Sequence, residues 1–326
     1  MAKILVTGAT GFLGSEIVRQ AVAAGHDVVA LRRKTSSIKR LEGIKLTWAT
    51  GDVNDLPSLE AAMQGVEYVI HTAGDTSYYI RDRERQEKIN IEGVKNVVTA
   101  AKKMKIKRLI HTSSVAAIGF DPAGGTVDET IQWNWPTGLP YMETKRDGEA
   151  VAMKAAREGL EVIILNPATI MGPGGMNASE EQLIREVRTQ KVPAVPPGGM
   201  TVCDVTDVAA AHLAALDKGV SGNRYILGGH NVTHRELMEA FGKAFQVPVP
   251  KGTAPGWLLG VAGGVLLQCE RIGIKMETPA AMVRLARFGI YHSSQKAIKE
   301  LGYKSRPLSE TVSRVVADFR ARDAKV

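Results

Sequence analysis

Apolar and polar positions follow two alternating rhythms through the first half of the chain. Short, continuously apolar runs at Lys3–Thr7, Asp27–Leu31, Leu46–Thr50, Tyr68–His71, Arg108–Thr112 and Val162–Leu165 read as strands. Between them Phe12–Ala24, Pro57–Met63, Glu87–Lys103 and Tyr141–Glu158 carry helical periodicity. Strands that are apolar on both faces, alternating with helices, predict an α/β fold: a doubly wound parallel sheet of the Rossmann type with helices on both sides.

After Pro167 the rhythm changes. Met171–Gly175 and Pro193–Gly199 are turn-rich and flank a short helix at Glu180–Thr189. Asp207–Asp217 is helical, with Thr206 or Asp207 as its N-cap, and Arg224–Leu227 reads as one more strand rejoining the sheet. Helices and loops follow, ending with a helix at Leu308–Arg320. The expected division is a nucleotide-binding part, residues 1–168 plus about 201–228, and a smaller interleaved substrate lobe, 169–200 and 229–326. The most apolar stretch, 255–268, is shorter than the ~20 residues that cross a bilayer and reads as a buried helix. A wall for a greasy substrate, or a patch touching a membrane, are the other readings of its composition.

Composition narrows the class. The 326 residues are 44% hydrophobic and 23% charged, as in soluble globular proteins. Cys203 and Cys269 stand far apart, so no disulfide framework is implied. No basic, apolar, cleavable leader precedes the first strand, and the expected location is cytoplasmic. The net charge of +8 raises the question of nucleic acid, but no aromatic side chains interleave with the basic runs as a stacking platform requires. The seven His residues show no metal-ligand spacing, and no metal site is expected.

The candidate chemistry starts at Thr7-Gly8-Ala9-Thr10-Gly11-Phe12-Leu13-Gly14, between the first strand and first helix. Gly8 permits a tight turn, Gly11 lets backbone approach a pyrophosphate, and Gly14 allows close helix packing, as dinucleotide binding needs. An acidic residue ending the second strand would favour NAD; here Arg32 and Arg33 stand there, and guanidinium groups suit the 2′-phosphate of NADP(H). They could instead merely decorate a strand end, although the spacing from Gly14 favours the first reading. Asp52 and Val53 follow the third strand at the adenine edge, and Thr72, Ala73 and Gly74 follow the fourth. Tyr141 and Lys145 stand one helical turn apart, where a cation can lower a phenol pKa and support proton transfer.

Together these residues resemble the extended short-chain dehydrogenase/reductase family, part of the NAD-dependent epimerase/dehydratase superfamily. The resemblance includes Asn90-Ile91-Glu92-Gly93, Thr112-Ser113-Ser114, Asn166-Pro167, Gly172-Pro173, Asp204–Ala209 and Tyr225–Gly229, and covers nearly the whole chain. Within the family the dihydroflavonol reductase-like branch is most similar. The resemblance implies that Ser114, Tyr141 and Lys145 are catalytic, that Thr112 binds the cofactor, that Pro167 and Thr169 lie near the nicotinamide, and that Asn90 holds neighbouring backbone. It also implies a substrate region containing Asp75, Tyr78, Tyr79, Ser114, Met142 and Met171, with Trp133, Trp135 and Met176 nearby. Relatives acting on nucleotide sugars carry an Arg seven residues before the position of Asp207; Met200 stands there and cannot clamp a diphosphate. The expectation is an NADPH-dependent reductase of a ketone or aldehyde on a largely apolar small molecule. The alternatives are a sugar epimerase or dehydratase, and a non-catalytic NADPH-binding redox sensor or assembly protein. A homodimer through Glu87–Lys103 and Tyr141–Glu158 is the assembly that the family suggests.

Overall fold

The computed structural model describes residues 1–176, 178–274 and 276–324. Its strands, in chain order, are β1 Lys3–Thr7, β2 Asp27–Arg32, β3 Thr47–Thr50, β4 Tyr68–His71, β5 Arg108–Thr112, β6 Thr126–Val127, β7 Val162–Pro167, β8 Thr169–Met171, β9 Gly199–Asp204, β10 Arg224–Leu227, β11 His230–Thr233 and β12 Gly289–His292. The apolar strands hide both faces by forming one seven-stranded parallel sheet in the order β10-β7-β5-β4-β1-β2-β3. Helices Phe12–Ala23 and Val205–Ala214 bury Ile17, Val18, Val208 and Ala209 on one face. Helices Gly93–Lys103 and Pro140–Arg157 bury Val94, Val97, Ala152 and Ala155 on the other. Strand order reverses between β1 and β4, the crevice where such sheets take ligands. The glycine-rich loop and Thr72–Gly74 straddle that point.

The expected helix Glu87–Lys103 is interrupted. Arg83–Glu87 is α-helical, Lys88–Glu92 forms a π-helical turn, and α-helix resumes at Gly93–Lys103. The widened turn points Asn90 inward, where it binds Asp75 N at 2.8 Å, Asp75 O at 2.9 Å and Thr144 Oγ1 at 3.1 Å. Gly148 lies against the Asn90 carbonyl so closely that a Cβ there would collide with it.

Three other expectations need correction. The helix expected at Asp207–Asp217 spans Val205–Ala214 and is capped by Asp204, which accepts from Thr206 N at 2.8 Å. A second, five-stranded sheet (β11-β9-β12-β6, with β8 beside β9) replaces much of the anticipated loop structure. Its strands are two to six residues long and pair with distant partners, so local patterning hides them. β9 pairs within this smaller sheet, and the helix Val205–Ala214 that follows it packs on the larger one. Finally, 255–268 does form a helix, Gly256–Arg271, but only one side of it is covered: Gly263 and Glu270 are buried, whereas Trp257, Leu258, Val261 and Val265 face solvent.

Candidate active site

The conformational demand at the end of β1 is met by glycine. Gly8 has φ +67°, and a Cβ there would lie 2.7 Å from Ala73 N. At Gly14 a Cβ would collide with the Gly8 carbonyl oxygen. Gly11 begins the helix with no side-chain cap, and the first turn holds no acidic residue. The positive end of the helix dipole and its unpaired N–H groups therefore face the crevice without an internal anion.

A cavity of about 490 Å³ extends from this loop into the region between the two sheets. It brings together Gly8, Gly11, Phe12, Leu13, Gly14, Thr72, Gly74, Thr112, Ser114, Tyr141, Lys145, Pro167 and Thr169 from the expected catalytic and cofactor positions. Of the aromatic and methionine candidates, Tyr78, Trp135, Met142 and Met171 line it. Tyr79, Trp133 and Met176 do not. The Tyr79 hydroxyl lies 2.8 Å and 2.7 Å from the Met276 and Glu277 carbonyl oxygens. Trp133 donates to Ala116 O at 3.2 Å under the Arg146 guanidinium, and Met176 packs in the core of the smaller lobe. Asp75 is likewise absent from the lining: it accepts from Ser77 N at 2.9 Å and pairs with Arg85.

The remaining cofactor candidates lie outside the cavity. Arg32 stacks on Trp48 at 5.3 Å, and its buried Nε has no partner; Arg33 is exposed beside it. Asp52 accepts from Asn54 N at 2.9 Å, and Val53 is buried in the core. Ala73 packs against the same core, and Thr10 offers its carbonyl to Arg40 Nη1 at 3.2 Å. Arg40 was not singled out in the sequence. It also donates to the carbonyls of Gly174 and Gly175 at 2.9 Å and 3.0 Å, tying the glycine-rich loop to the smaller lobe.

Tyr141 and Lys145 project from the first turns of helix Pro140–Arg157, both buried. Burial pushes the Tyr141 phenol up to about 12, a hydrogen bond with Ser114 opposes the rise, and the Glu180 and Asp75 carboxylates add to it. The expectation of a phenol lowered by Lys145 is therefore not met: burial is the largest cause, and the opposing effect comes from Ser114 and not from Lys145. Burial also draws the Lys145 ammonium down to about 8, against the favourable Glu149 carboxylate. Lys145 Nζ donates to Thr112 O at 3.0 Å. Ser114 accepts from Ala116 N at 3.1 Å, so it caps a short turn as well as meeting the phenol. Tyr78 packs against Tyr141 with ring centroids 5.0 Å apart and the rings tilted by 55°.

Behind these residues lies a polar support. Asn166 donates to Ser114 O at 3.0 Å and to Glu149 Oε2 at 2.6 Å, and the fully buried Glu149 also pairs with Arg224. The tie between Glu149 and Arg224 joins positions 75 apart in the sequence. His71 and His111 are core residues, stacked at 5.5 Å with both imidazoles driven down chiefly by burial. Among the described residues no cluster of three or more His, Cys, Asp or Glu could hold a metal ion.

The far wall of the cavity comes mostly from the C-terminal half: Met200, Met238, Leu259, Met282, Val283, Leu285 and Ile290. Among the described lining residues Lys145 is the sole Lys or Arg, whereas Glu180 and Glu186 contribute carboxylates. Arg284 and Arg287 lie outside, along helix Gly256–Arg271.

Residues 4–228 match the model of the NAD dependent epimerase/dehydratase family. The chain is similar to a putative dihydroflavonol 4-reductase of Synechocystis sp., at 33% identity over 97% of this chain and 94% of that protein. It is similar at 33% identity to sterol demethylase protein B of Methylococcus capsulatus, over 98% of both chains. A solved structure described as gox2253 superposes with a TM-score of 0.87 and 31% identity, covering 99% of both chains.

Proposed function

The chain belongs to the NAD dependent epimerase/dehydratase family, and on that premise we propose that it is an NADPH-dependent reductase of a ketone or aldehyde on a largely apolar small molecule, reversible as an alcohol dehydrogenase. The observation that carries this reading is the cavity: Ser114, Tyr141 and Lys145 line one part of it, and aliphatic and methionine side chains dominate the far wall. Such a surface takes an apolar or ring-containing molecule, with few polar groups to orient it. The names of the relatives, a reductase and a protein of sterol demethylation, accord with that class.

The residues present fit a dinucleotide. The uncapped helix start at Gly11 suits a diphosphate, and the missing Cβ atoms at Gly8 and Gly14 keep the crevice floor low. Arg32 and Arg33, with no carboxylate ending β2, suit a 2′-phosphate. In this proposal residues 1–168 with about 201–228 hold the cofactor, and 169–200 with 229–326 form the substrate lobe. When bound, the reduced nicotinamide supplies the hydride. Tyr141 Oη gives its proton to the substrate carbonyl oxygen, and Ser114 Oγ hydrogen-bonds that oxygen. The Lys145 ammonium, steadied by Thr112 O, stabilises the phenolate left behind and reaches the ribose hydroxyls. A phenol held at about 12 remains protonated at neutral pH, as a proton donor must.

A nucleotide sugar fits less well. Met200 lines the cavity where a diphosphate clamp would be needed, and Lys145 is the sole Lys or Arg among the described lining residues. The deciding experiment is Tyr141→Phe, assayed at the nicotinamide absorbance band against a panel of aldehydes, ketones and alcohols. Turnover is expected to fall by roughly 10²–10⁴ while NADPH binding persists. Unchanged turnover would overturn the assignment of Tyr141.

A further inference from the structure

Helix Gly256–Arg271 has two unlike faces. Inward, Leu259 lines the cavity, Gly263 packs under Arg284, and Glu270 is buried as the acceptor for Ile80 N and Ala280 N. Outward, Trp257, Val261 and Val265 are 69%, 58% and 59% exposed, and Ile272 just beyond the helix is 75% exposed. These positions recur at helical spacing and form one stripe, broadened by exposed Leu258 and interrupted only by Gln268. A stripe of this kind on a single element marks a contact surface.

Its border is basic. Arg287 lies along Gly256 and Gly260, Arg284 along Gly263, and Arg271 closes the helix. Among the described residues none of the three has a carboxylate partner; Arg287 instead covers the Phe288 ring at 4.6 Å. Exposed Lys251 adds a cation, and Glu277 is the exposed acid in this stretch. Apolar side chains flanked by arginines whose stems lie on the helix are the composition of a segment resting in a lipid interface, with guanidinium groups at headgroup level. A second copy is a poorer occupant: a two-fold contact through this stripe would set the same arginines against each other. No described helix is long and apolar enough to cross a membrane, so the contact is one of lying on a surface.

We propose that this face docks on an anionic lipid surface and sets the cavity wall that Leu259 helps to form against the layer in which an apolar substrate dissolves. The link to substrate delivery rests on the reductase reading; the docking itself does not. The test is co-sedimentation of the full chain, without substrate, with phosphatidylcholine vesicles containing phosphatidylglycerol and with phosphatidylcholine vesicles alone. Binding at least about tenfold stronger to the anionic vesicles, and weakened by salt, is expected. Trp257→Ser with Val261→Ser should lower that binding about tenfold or more, and Arg271→Glu with Arg287→Glu should remove the preference for anionic lipid. Circular dichroism and NADPH binding should be unchanged in both, since all four side chains are exposed and lie outside the cavity lining. Absence of vesicle binding, or equal binding by wild type and the Trp257/Val261 variant, would overturn the proposal. So would light scattering showing that the same variant converts a dimer to a monomer, which would assign the stripe to a second copy. Failure here leaves the reductase reading standing, and absence of turnover leaves the vesicle measurement unaffected.

Discussion

Lys145→Met should make the protein more stable while disabling it. Drawing the ammonium from 10.5 down to about 8 corresponds to about 3 kcal/mol of unfavourable burial at neutral pH. Methionine fills similar space without that charge. The substitution forfeits the hydrogen bond to Thr112 O, worth about 1 kcal/mol. The net gain is then about 1–2 kcal/mol, or a rise in Tm of about 2–3 °C for a chain of this size. The pH dependence identifies the cause. Below about pH 8 the folded and unfolded chains are both charged at Lys145, and the native state bears the full penalty. Between about 8 and 10.5 the unfolded chain retains a proton that the folded chain has released, so wild-type stability gains with rising pH. Above that range neither carries the charge. Thermal melts of cofactor-free wild type and variant at pH 7 and pH 10 should show a stability gap that shrinks with pH. A less stable variant at pH 7, or a gap independent of pH, would refute the reasoning.

Other expectations come from the same geometry. Arg32→Asp with Arg33→Ser should move cofactor preference towards NADH, measured as the ratio of kcat/KM for the two coenzymes; an unchanged ratio would mean that the 2′-phosphate is read elsewhere. Gly14→Ala drives a methyl into the Gly8 carbonyl oxygen, so calorimetry should detect loss of NADPH binding, and retained affinity would contradict the tight helix approach. Arg224→Leu leaves the fully buried Glu149 carboxylate without its cation and should destabilise by about 3–5 kcal/mol in urea melts. Adding Glu149→Leu should recover part of that loss, because the stranded charge is then gone.

The larger sheet was legible because each of its strands is a local apolar run closed by turn residues. The glycine spacing likewise identified the tight turn and close helix approach at the end of β1, since positive φ and collisions at a Cβ are properties of single positions. What stayed hidden depends on partners distant in sequence. Short strands such as Gly289–His292 acquire their identity from β9 and β6, not from their own residues. Arg40, Glu149, and Met238 and Met282 of the far wall are ordinary surface or core types until the fold brings them to Gly174, Arg224 and the cavity. Apolar composition alone did not reveal which side of helix Gly256–Arg271 would remain uncovered. The phenol of Tyr141 shows the same limit: spacing identified its cation, but the degree of burial determined the direction of its pKa.

The π-helical turn at Lys88–Glu92 makes this region sensitive to residue number more than to residue type. The turn accommodates one residue beyond what an α-helix would hold. Deleting any one of the five would restore α-helical winding and rotate the preceding segment by about 100° about the axis. Asn90 would leave Asp75, Arg85 would leave its carboxylate, and Arg83 would swing off Glu143, on the helix that bears Tyr141. Chains that share this site should therefore keep the length of this turn while its exposed side chains vary, Asn90 and the core-packed Ile89 apart, with insertions and deletions displaced to the loops on either side.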